Sequence, residues 1–148
     1  MLALGAVLAP GVVRADPKAN TSAYFRSVGG GFTTNNKSGS VALNLTLEPL
    51  KTLPPDAELV VTFENPANPS SPLVVETTVQ AAQTKKGNWI DVASPPVTGM
   101  RDKSTYLITA RLYADKSKKV LLGTHEQRVA CHQDMLDFAA GLKPSRKH

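Results

Sequence analysis

Cysteine is almost missing: Cys131 is the only one in 148 residues, so no intramolecular disulfide can staple this chain. Histidine is nearly as scarce, at His125, His132 and His148. The chain has no His-Glu-x-x-His pair, no Gly-x-Ser-x-Gly elbow and no Asp-x-Asp-x-Asp-Gly calcium loop. Gly29-Gly30-Gly31 is not followed by the Lys-Ser/Thr of a phosphate loop. No carboxylate pair sits in a context implying a cleft. These absences remove the common enzymatic signatures, and we read the chain as non-enzymatic and without a cofactor. An enzyme with an unrecognised site is an alternative; it would need a deep pocket lined by titratable residues.

A basic stripe is lacking as well. The formal net charge is +5, but Arg14 lies in the amino-terminal segment and Lys143, Arg146 and Lys147 in the last six residues, which leaves about +1 on the body. Phosphate binding needs more than that, so nucleic acid is excluded as a partner.

Long apolar runs are confined to the start. Met1–Val13 is nearly all Leu, Ala, Val and Gly, and is followed by Arg14-Ala15-Asp16-Pro17. The run is shorter than the roughly 20 residues a spanning helix needs, and Val13 and Ala15 are small or apolar at the positions a signal peptidase admits. Residues 1–15 therefore read as a signal peptide, and the protein as exported, to a bacterial periplasm or cell surface. No integral membrane segment is expected after the signal.

What remains has a period of two. Val41, Leu43, Leu45 and Leu47 alternate with polar or small residues, as do Leu59, Val61 and Phe63, then Leu73, Val75, Thr77 and Val79. Each stretch reads as a half-buried strand. The proline-rich segment 65–72 joins two of them, because proline cannot donate to a ladder. Trp89–Val92 forms a short strand. Tyr106, Ile108, Ala110 and Leu112 line one face of the next, which turns at Asp115-Lys116-Ser117-Lys118 into a last strand reaching Cys131, with a register break at Gly123. A first strand over Ser22–Val28, ended by the three glycines, brings the count to seven. Asp134–Gly141 reads as a two-turn helix capped by Asp134 and stopped by Gly141, folding back to seal one end of the core.

Seven strands with no helix between them indicate an all-β, seven-stranded antiparallel sandwich over residues 16–131. A short C-terminal helix and a basic tail follow over 132–148. The hairpin Tyr106–Leu122 resembles the last two strands of immunoglobulin-like and fibronectin type III-like domains. That resemblance, one of pattern, implies an immunoglobulin-like sandwich with binding loops at its ends. The Cys…Trp…Cys spacing of true immunoglobulin domains is missing, and Trp89 falls in the fifth strand.

Two constellations follow. In fibronectin-like order the turns after the second, fourth and sixth strands share one end, gathering Lys51, Lys85, Lys86, Lys116, Lys118 and Lys119 against Asp56 and Asp115 alone. A basic pole of this kind suits a protein or anionic envelope polymer as partner. Alternatively His125, Cys131, His132 and Met135 offer the soft ligands of an exported copper carrier centred on Cys131 and His132. In an extended strand, however, His132 points away from His125 and Cys131. Cys131 is then a small apolar residue filling the end of the core.

Overall fold

A computed structural model describes residues 22–35, 37–80 and 88–141. Seven strands and one helix follow in order: β1 Phe25–Asn35, β2 Ser40–Pro49, β3 Glu58–Phe63, β4 Leu73–Thr78, β5 Ile90–Ala93, β6 Thr105–Tyr113, β7 Leu121–Ala130 and α1 Gln133–Ala139. They form two antiparallel sheets, β1-β2-β5 and β4-β3-β6-β7. The signal peptide, the tail Lys143–His148, Lys85 and Lys86 lie outside the described residues.

Period two does what it implies. Leu43, Leu45 and Leu47 of β2, Leu59, Val61 and Phe63 of β3, and Ile108, Ala110 and Leu112 of β6 are all buried, and the two inner faces meet in one core. Removing each large aliphatic from water contributes about 1.5 to 3 kcal/mol, an upper figure because the unfolded chain already hides some surface. β4 is an edge strand and alternates more weakly, with Val74 53% exposed.

Three boundaries differ from expectation. β1 does not end at the glycines; it runs through them to Asn35 along the whole of β2, with a bulge between Ser27 and Gly29. Pairing to a well-patterned neighbour overrides the poor strand propensity of glycine. Gly30 has a packing reason, since a Cβ there would run into the side-chain amide of Gln127 on β7. Trp89 stands just outside β5, and β7 stops at Ala130, one residue before Cys131. The break near Gly123 is present: Leu112 pairs with Gly123 but Tyr113 with Leu121, leaving Leu122 as the extra residue.

The helix is capped differently. His132 holds the N-cap position without a side-chain bond, and the Gln133 amide donates instead to Asp102 Oδ1, 2.9 Å away on the loop before β6. Gly141, at φ +79, ends the helix as expected. α1 lies against the β1–β2 hairpin: Ala139 is buried, its carbonyl faces Gly39, and Met135 and Leu136 pack on the core.

Candidate functional site

Strand register decides which loops meet. Glu58, the first residue of β3, pairs with Thr78 at the end of β4 and with Tyr113 at the end of β6. The connection entering β3, the one leaving β4 and the β6–β7 hairpin therefore share one end, opposite α1. That end carries Lys51, Lys116, Lys118 and Lys119.

The four lysines differ in surroundings. Lys51 lies just past β2, its ammonium 4.0 Å from the centroid of the Tyr24 ring, a cation–π contact. Lys118 sits in the hairpin turn at φ +59 and donates to Glu76 Oε1 on β4, and that bond raises its pKa. Asp115 accepts from the Ser117 hydroxyl and from its amide at 2.9 Å, and these two bonds hold its carboxyl below the usual range. Among the described residues, Lys116 and Lys119 have no ion-pair partner.

Carboxylates are more numerous here than two. Glu76 takes Lys118, and Glu58, almost buried, accepts from the Thr78 hydroxyl at 2.8 Å. With Asp56 and Asp115, four acids face four lysines among the described residues, so this part of the end is mixed in charge rather than a positive pole. Glu76 escaped the sequence reading because it is 42 residues from Lys118. An open depression lies here, lined by Asp56, Thr78, Asp115, Lys116 and Ser117.

The soft ligands do not converge. Cys131 is fully buried, and burial, then the nearby Asp102 charge, pushes its thiol pKa up. His132 is exposed at the helix start, and His125 Nε2 lies 2.8 Å from Gln127 Oε1. Six strand positions separate His125 from Cys131, about 20 Å, far beyond the reach of shared metal bonds. Among the described residues no three His, Cys, Asp or Glu side chains gather where they could hold a metal ion.

A second surface went unread in the sequence. Trp89 is 59% exposed, just before β5 on the outer side of the three-stranded sheet. The signal was there: in Trp89-Ile90-Asp91-Val92, Ile90 and Val92 are buried, which turns Trp89 and Asp91 outward together.

No protein-family model matches this chain, and no curated protein matches it in sequence. Among solved structures it is similar to a family 76 glycoside hydrolase from a bovine Bacteroides thetaiotaomicron strain, at 8% identity and TM-score 0.39 over 72% of this chain. It is also similar to Bacteroides uniformis β-glucuronidase, at 14% identity and TM-score 0.42 over 72% of this chain. The match covers 20% of the first of those chains and 12% of the second.

Proposed function

We propose that this chain is an exported, non-enzymatic module of immunoglobulin-like or fibronectin type III-like topology that binds another protein or an anionic envelope polymer through its lysine-bearing loop end. The observation that carries this reading is the meeting of three connections at one end of a packed sandwich, because loops held by a rigid frame are where such folds place function. The strand order favours the second alternative over the first: constant-type immunoglobulin domains keep the fourth strand with the first, second and fifth, whereas β4 here pairs with β3. Lys116 and Lys119, without an ion pair among the described residues, are the groups an acidic ligand would meet first.

Beads bearing an acidic polymer, alginate or polyglutamate, test this. Retention at low salt should fall as ionic strength rises, because screening acts over about 8 Å at physiological salt. Reversal of Lys85, Lys86, Lys116 and Lys119 to Glu should abolish retention without moving the melting temperature. Retention unchanged by the reversal would remove the loop end as the binding surface. Sequencing the amino terminus of the native protein tests export separately: Asp16 should come first.

A further inference from the structure

The outer face of the β1-β2-β5 sheet differs from an ordinary solvated face. Register puts Arg26 beside Glu48 on β2, Gly29 beside Thr46 and Asp91, and Gly31 beside Asn44 and Ala93, with Thr33 beside Ala42. Leu43, Leu45 and Leu47 point inward, so these residues all point out. Gly29, Gly31, Ala42 and Ala93 thus surround Asn44 and Thr46 at the centre of the face, and nothing lies within 4 Å of where a Gly29 Cβ would be. At one end of this face stands Trp89, one position before Ile90, which pairs with Leu47; Trp89 therefore falls beside Glu48.

The polar groups around the indole are already fixed. Arg26 Nε and Nη2 both reach Glu48 Oε1, at 2.8 and 2.7 Å, which cancels that pair's charge. Thr46 donates to Asp91 Oδ1 at 2.6 Å. Adjacent strands are about 4.8 Å apart and alternate residues about 6.6 Å, so Glu48 and Asp91 flank Trp89 at the scale of one sugar ring. The face from Glu48 to Ala42 runs about 20 Å along the strand.

We propose that this face binds a neutral, extended polysaccharide, with Trp89 as the stacking platform. A pyranose has an apolar face of C–H groups and a rim of hydroxyls. The C–H face matches the electron-rich indole surface, and the rim matches planar acceptors and amides at Glu48, Asp91 and Asn44. The small residues beside Asn44 and Thr46 leave room for following sugar rings along the strands. Groups held on strands lose little freedom on binding. The two carboxylates disfavour a phosphate backbone, and the near cancellation of charge favours an uncharged ligand over an anionic one. This inference rests on the reading of the chain as a binding module, but its surface is the outer face of the three-stranded sheet, which meets the loop end at Trp89, and not the lysines.

Trp89 is the only tryptophan in the chain, so its fluorescence reports on this face directly. The probe is a panel of soluble neutral polysaccharides, namely β-glucan, xylan, mannan and dextran, titrated into the full chain with acrylamide as quencher. At least one should shield Trp89 from quenching. On affinity gels containing that polymer, Trp89→Ala should bind about tenfold or more weakly, as for other aromatic anchors, with an unchanged melting temperature. Ala93→Arg, which fills the room beside Asn44 and leaves the indole in place, should also weaken binding. Lys116→Glu with Lys119→Glu should leave sugar binding intact, which separates failure here from failure at the loop end. Shielding by no polymer, or undiminished binding by Trp89→Ala, would overturn the proposal. So would shielding that rises with protein concentration alone, which would assign the face to a second copy of the chain.

Discussion

At one end of the sandwich a helix packs on the core; at the other, polar loops meet through side chains that are mostly exposed. The helix end is tied by groups distant in sequence: the Lys103 amide donates to the Cys131 carbonyl and the Cys131 amide to that of Ser104, both at 2.8 Å, while Asp102 caps α1. The loop end has two such backbone bonds, from Leu50 to Tyr24 and from Val79 to Ala57, and adds the Asp115–Ser117 turn, the Lys118–Glu76 pair and Lys51 over Tyr24, all exposed or half-exposed. Substitutions at the helix end should be felt in folding, and those at the loop end in binding.

The largest effects lie between the two ends, in the core they share. Leu45→Ala and Ile108→Ala should each destabilise by about 2 to 5 kcal/mol in denaturant titrations. Losses under about 0.5 kcal/mol would mean the core does not depend on these faces. At the helix end, Asp102→Ala should cost about 1 kcal/mol, the usual worth of a helix cap, and Asp102→Asn should recover most of it. Equal losses in both variants would attribute the effect to charge rather than to capping.

Cys131 sharpens the contrast through pH. Its thiol pKa is raised in the fold, so its contribution is fully present below the ordinary thiol value of about 8.5 and is lost as pH rises through the raised value. Cys131→Ala should flatten the alkaline part of the stability profile, and the native thiol should resist alkylation at neutral pH. Smallest of all should be Lys118→Ala. Its partner is solvent-accessible, so the unfolding midpoint should stay within error of the parent at physiological salt. A clear shift would show that the loop end is as integral to folding as the helix end.

The inward faces of β2, β3 and β6 were legible because alternation is a local signal that burial on one face enforces. The loops that carry Lys51 and Lys116 to Lys119 were legible by position, since strand count and hairpin turns place them at one end. What escaped depends on partners remote in sequence. β1 continues through three glycines because β2 holds it, the helix cap comes from a residue 31 positions upstream, and Lys118 of the loop end pairs with Glu76 across the sheet. The Trp89 platform was visible only as a parity, and the glycines on its face read as a strand ending. A run of small residues carries no pattern until its neighbour is known.

The close approach of β1 to β7 has a mechanical side. Both strands start at the loop end and run toward the helix end, linked by a 2.6 Å hydrogen bond from Ser27 to Gln127 and by the contact at Gly30. Tension applied between residues 22 and 141 would pull β1 and β7 lengthwise in opposite directions. The ladders joining β1 to β2 and β7 to β6 would then be sheared along their whole length. Bonds loaded together share the force, whereas bonds opened from one edge fail in turn. A domain tethered at those two points would resist stretching more strongly than its modest size suggests.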